Sequence, residues 1–108
     1  MKILFGQGTP VPLRQWLQTH AVDTLAENEW SKLDNGELLD RAEKYGSEIL
    51  VTTDKNLEHQ QNLKNRSIGV VVLPSANWPN IHKCVRNVDQ AIRDASPGKF
   101  IDVQIPTK

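Results

Sequence analysis

Asp54 closes a run of β-forming residues, Ile49-Leu50-Val51-Thr52-Thr53, and a carboxylate in that position has two chemical uses. It can cap the first turn of a following helix by accepting amide hydrogen bonds. It can also hold Mg²⁺ or Mn²⁺, because loops at strand ends project such groups into a shared crevice. Asn56, two residues on, offers a neutral oxygen to a metal or a substrate. Asp34 and Glu37 are the next candidates, and their i, i+3 spacing resembles a capping box with Asp in place of Ser or Thr. If that helix start faces the same crevice, Glu37 and Asp54 could share an ion. Two-metal phosphodiester chemistry requires several carboxylates holding ions about 4 Å apart. Lys55, Lys64 and Arg66, with His59, Gln60 and Gln61 between them, form a polar, mildly basic stretch that could steer a phosphate backbone, a solvated surface being the plainer reading.

Other residue types carry less. Gly6-Gln7-Gly8-Thr9-Pro10 sits where a strand would meet a helix, a place that attracts anions. It lacks the third glycine of a dinucleotide fingerprint and the Gly-Lys-Ser/Thr ending of a nucleotide loop, so a strain-relieving turn is the simpler reading. His20, His59 and His82 have no metal-ligand spacing. Trp16, Trp30 and Trp78 read as core or core-edge residues, with Trp30 and Trp78 flanking loops where they could stack on bases.

These residues need elements to position them. Met1 to Phe5 reads as a buried strand. Thr9 as cap and Pro10 at the first helical position open a helix with Leu13, Trp16, Leu17 and His20 on one face. Ala21 to Leu25 is a second, weaker strand. A helix from Asp34 carries Leu38, Leu39, Ala42 and Tyr45 and stops at Gly46. Residues 49–53 form the third strand, and Lys55 to Asn62 a polar helix or turn. Ile68 to Leu73, continuously apolar apart from Gly69, reads as a strand buried on both faces. Ile81, Cys84, Val85, Val88, Ile92 and Ala95 mark one long helix, broken by Ser96-Pro97-Gly98. The tail alternates Ile101, Val103 and Ile105 with polar residues, as an edge strand does. Strands alternating with helices predict a single three-layer α/β/α domain over residues 1–108, with a mostly parallel sheet of about five strands and right-handed crossovers. Ligands of such sheets bind at the carboxyl ends of the strands, near the switch in strand order.

Composition narrows the function classes. Thirteen basic residues balance thirteen acidic ones, which argues against a uniformly basic nucleic-acid coat. One cysteine, Cys84, excludes an intramolecular disulfide and a cysteine-rich zinc site. No apolar run approaches the roughly 18 residues of a membrane span, and Lys2 precedes only three apolar residues before Gly6, so a cytoplasmic location and no membrane partner are expected.

Met1-Lys2-Ile3-Leu4-Phe5, followed by Gln7-Gly8-Thr9-Pro10 and Leu13-Arg14, resembles the opening of a PIN-like family of small bacterial domains. Gly36-Glu37-Leu38-Leu39, the block Val51-Thr52-Thr53-Asp54-Lys55-Asn56-Leu57 with Gln60-Gln61-Asn62-Leu63, and Ile68-Gly69-Val70-Val71-Val72-Leu73 are similar to the same family. The resemblance implies a ribonuclease dependent on Mg²⁺ or Mn²⁺, many relatives being toxins of toxin–antitoxin pairs. By position, the implied acidic set is Glu37 and Asp54 with Asp34 as a weaker member. Asn56, Lys55, Lys64 and Arg66 are the substrate contacts expected beside it. RNA, an antitoxin-like protein and a second copy of the chain are the implied partners. Where the family ends its first strand in aspartate, this chain has Gly6. Loss of that ligand is expected to weaken metal binding and water activation, leaving either an impaired nuclease or a non-catalytic binding module. A receiver-like phosphoacceptor also places an aspartate after its third strand, but it needs an acidic pair after the first.

Overall fold

Five short parallel strands are paired among the described residues: β1 (Lys2–Phe5), β2 (Ala21–Thr24), β3 (Ile49–Thr52), β4 (Gly69–Val72) and β5 (Phe100–Asp102). Their order across the sheet is β2-β1-β3-β4-β5. The structure, a computed structural model, describes residues 2–6, 8–18, 20–25, 30, 32–55, 57, 63 and 66–104.

Strand alternation divides the core into two layers, because successive side chains point to opposite faces. Ile3, Phe5, Ile49, Val51 and Val71 enter one cluster, with Leu13, Leu17, Ile81, Val88 and Ile92 packed over them. Leu4, Leu50, Val70 and Val72 enter the other, beneath Leu38, Leu39, Ala42, Leu57 and Leu63. We call these the upper and lower faces. Full burial of each leucine or isoleucine is worth about 1.5–3 kcal/mol, so both layers contribute heavily to stability. This is the three-layer α/β/α architecture expected from the alternation of elements.

The lower face is covered by α1 (Asn35–Tyr45), whose end is set by Gly46 at φ 90°. The upper face carries a 3₁₀ helix (Val11–Trp16), α2 (Trp78–His82) and α3 (Val85–Asp94). Three expectations need correction here. The first helix is 3₁₀ rather than α and is capped by Pro10, because Thr9 turns its hydroxyl to the Val51 carbonyl at 2.8 Å instead. Prolines at 10 and 12 remove two amide donors from this segment, and Trp16 ends up 52% exposed rather than in the core. The single long helix over 78–95 is two, separated at Lys83–Cys84, where Cys84 adopts φ −126° and ψ 27°. The break leaves Ile81, Cys84, Val88 and Ile92 all facing the sheet, so apolar spacing runs through it unchanged.

The third correction concerns handedness. The β1–β2 and β4–β5 connections both pass over the upper face but run in opposite directions across the sheet, so their hands are opposite. The β2–β3 and β3–β4 connections cross the lower face, and their direction gives them the hand of β1–β2. The four crossovers therefore cannot all be right-handed, and β4–β5 differs in hand from the other three.

Candidate functional site at the carboxyl edge of the sheet

Sequence neighbours β1 and β2 lie to one side of β3, and β4 and β5 to the other, so strand order reverses between β1 and β3. A crevice at the carboxyl ends of such a pair is where doubly wound sheets bind ligands. Gly6 extends β1 at this edge, its N–H donating to the Val51 carbonyl at 2.7 Å. A Cβ at Gly6 would lie 3.2 Å from Leu50 Cδ1 and 3.2 Å from Thr52 Cβ, so the absent side chain points to the lower face, the side of α1. At Gly8 φ is 76°, and a Cβ there would overlap the Thr53 hydroxyl. Gly8 is thus required twice, for a left-handed backbone and for close approach to β3.

Hydroxyls organise the rest. Thr9 ties the loop to β3 through Val51, and buried Thr52 accepts from the Asp54 N–H at 3.2 Å while its carbonyl accepts from Leu73 N–H at 2.7 Å. Asp54 is half-buried, and its carbonyl accepts from the Leu57 N–H at 3.3 Å, opening the next turn. The aspartate therefore stands two residues beyond β3, at the reversal point and directly above Thr52 in sequence.

Asp34 and Glu37 occupy the start of α1, which runs back against the strands and so begins at the same edge as Asp54. Asp34 Oδ1 accepts from the Glu37 N–H at 2.8 Å, the capping reading made explicit. That amide bond, with a side-chain bond to Glu37, holds the Asp34 carboxyl below its ordinary range. The same side-chain bond, together with the Asp34 charge, raises that of Glu37. Both carboxyls are exposed.

Among the described residues no group of three or more His, Cys, Asp or Glu side chains is placed to hold a metal ion. Gly6 offers no side-chain donor, and Asp34 and Glu37 lie together at the start of α1. Asn56 and Lys64 lie outside the described residues. Lys55 is exposed at the rim of a cleft of about 400 Å³, lined also by Leu73, Pro74, Asp102 and Gln104. Arg66 is at the opposite end of the sheet, before β4, where its guanidinium meets Asp40 at 2.8 Å and Glu43 at 2.5 Å. It is a strut for α1 rather than a neighbour of Asp54.

Sequence reasoning missed the threonines and Asp102. Thr52 and Thr53 were legible only as β-formers, since nothing in their spacing tells which hydroxyl turns toward a loop. Asp102 carried the signal of edge-strand alternation, which says that it points outward but not that a cleft lies beside it.

No protein-family model, curated protein or solved structure matches the chain. The site has to be read from its own chemistry.

Proposed function

We propose that the domain is a PIN-like nuclease scaffold that engages RNA at the carboxyl edge of its sheet, with cleavage impaired by Gly6. The observation that carries this reading is the meeting of Gly6 with β3 at the reversal of strand order, two residues from Asp54. An aspartate at position 6 would project to the lower face, the side on which α1 begins with Asp34 and Glu37. In the present chain that position holds only hydrogen, so a water attacking a phosphodiester lacks the central carboxylate that would activate it.

Mg²⁺ or Mn²⁺ as the family's metal, an antitoxin-like partner, a homodimer and a cytoplasmic location are parts of the same reading and rest on the resemblance. No helix among the described residues is long and apolar enough to cross a membrane. The test is to assay Mn²⁺-dependent RNA cleavage for Gly6→Asp beside the Gly6→Asp/Asp54→Asn double variant. Cleavage gained by the first and abolished by the second is expected. Neither cleavage nor metal binding in Gly6→Asp would remove the enzyme reading.

Two alternatives have specific support. The use of Asp34 as the cap of α1, its Oδ1 accepting from the Glu37 N–H, favours a module that binds without cleaving, which pull-down and light scattering would reveal. The strand order β2-β1-β3-β4-β5 is also that of receiver domains. However, Gly6-Gln7 stands where the acidic pair of a receiver would be, and labelling of Asp54 by acetyl phosphate is needed to revive that reading.

A further inference from the structure

The upper face carries a surface that neither catalysis nor packing accounts for. The 3₁₀ helix leaves the carboxyl end of β1 and α2 that of β4, and the two lie against each other. Between them His82 is held by two indoles, its ring centroid 5.1 Å from that of Trp16 and 5.4 Å from that of Trp78. Trp16 is nevertheless 52% exposed and nearby Val11 is 60% exposed. A half-exposed indole fixed by a neighbouring ring loses little conformational entropy when it stacks on something else.

The segments that build this aromatic shelf carry charge of one sign only. The chain has thirteen acidic residues, yet residues 1–22 and 59–88 contain none. Lys83 and Arg86, one and four residues beyond His82, are exposed, and among the described residues neither forms an ion pair with a carboxylate. Arg14 has a different task, donating to the Val22 carbonyl at 2.7 Å and bracing the turn into β2. The nearest acid on α3, Asp89, is taken up by Arg93 at 3.1 Å and His20 at 3.4 Å. Aromatic rings interleaved with unpaired cations, on a protein of zero net charge, match single-stranded nucleic acid: each base has a face to stack and each phosphate a charge to meet. A duplex hides the faces of its bases and would leave Trp16 without a partner.

We propose that this shelf binds single-stranded RNA, with Trp16 stacking on a base and Lys83 and Arg86 contacting the flanking phosphates. The inference rests on the RNA reading above and adds the surface along which the strand leaves the Asp54 edge.

The probe is a fluorescein-labelled oligouridine of about twelve nucleotides, and the measurement is anisotropy in EDTA, so that no cleavage contributes. Trp16→Ala is expected to weaken binding about tenfold. Trp30→Phe, on the lower face beside Tyr45, is expected to leave it unchanged. Replacing Lys83 and Arg86 by Gln is expected to flatten the slope of log affinity against log salt by about 1.4, at about 0.7 per lost phosphate contact. This charge variant leaves the core untouched and carries the test if Trp16→Ala does not fold by circular dichroism. Undiminished binding in both variants overturns the shelf but leaves the RNA reading intact. No binding of the wild-type protein at low salt overturns both. Equal affinity for a duplex overturns stacking, and a change of oligomeric mass in Trp16→Ala without loss of RNA binding reassigns the shelf to protein contact.

Discussion

Gly6→Asp tests the packing and the chemistry of the site together, and Gly6→Ala separates them. A Cβ at position 6 meets Leu50 Cδ1 and Thr52 Cβ, both at 3.2 Å, a few tenths of an ångström inside ordinary contact. Overpacking of this kind costs about 1–3 kcal/mol. The loss of glycine's freedom in the unfolded chain returns about 0.4–1 kcal/mol. A net loss of about 1–2 kcal/mol is therefore expected for Gly6→Ala. Unfolding entropy of about 2.1 cal/mol/K per residue makes each kcal/mol worth about 4 °C in a chain of this size, so the midpoint falls by about 4–9 °C. Gly6→Asp adds a charge at a buried position and is expected to fall further in EDTA. If position 6 completes a metal site, Mn²⁺ at a hundred times its dissociation constant restores about 2.7 kcal/mol to Gly6→Asp and nothing to Gly6→Ala. Thermal unfolding with and without MnCl₂ reads all four states. A Gly6→Ala midpoint at or above wild type refutes the packing argument, and a Gly6→Asp midpoint indifferent to Mn²⁺ refutes the metal argument.

Other outcomes follow from the same structure. Ser47→Ala is expected to stabilise the protein by about 1 kcal/mol, because the Ser47 hydroxyl is buried without a hydrogen-bond partner among the described residues. A lowered midpoint on thermal unfolding would contradict this. Burial raises the Glu43 carboxyl, but hydrogen bonds from Ser67 and Arg66 outweigh it and hold the pKa below its ordinary value of 4.5. A depressed carboxyl contributes stability above its unfolded pKa that is lost as pH falls through the folded one. Urea unfolding is therefore expected to weaken below about pH 4.5, with a shallower acid limb in Glu43→Gln. Cys84, buried and with its thiol pKa raised by burial, should react with a thiol-specific disulfide reagent only at the rate of unfolding. Fast labelling in native buffer would mean that the α2–α3 junction opens. Gly8→Ala should destabilise more than Gly6→Ala, since it adds a φ of 76° to its clash with Thr53.

Much of the fold was legible because period-two and helical spacing report burial directly. Ile49–Thr52 and Gly69–Val72 emerge as strands where continuous apolar runs place them, and Asp34 and Gly46 bound α1 as capping chemistry requires. What spacing cannot report is the path between elements. The kink at Cys84 preserves the apolar phase, so residues 78–95 look like one helix, and the hand of the β4–β5 connection leaves no mark on any residue type. At the site, Asp54 was legible as an acid at a strand end and Gly6-Gln7-Gly8 as the turn that follows the first strand. Arg66 shows the limit: a cation near Asp54 in sequence lies at the far end of the sheet, because β4 must begin there.

The reversed hand of that last connection sets α2 and α3 on the upper face beside the 3₁₀ helix, where a connection of the other hand would have joined α1 beneath the sheet. The upper core is thereby closed by two parts of the chain, Leu13 and Leu17 from the amino-terminal part and Ile81, Val88 and Ile92 from the carboxyl-terminal part. The aromatic shelf straddles the seam between them, with Trp16 rooted in the amino-terminal part and Trp78 and His82 in the carboxyl-terminal part. A strand of RNA laid across it would staple the seam shut, and amide exchange in α3 and β5 would slow in proportion to its affinity.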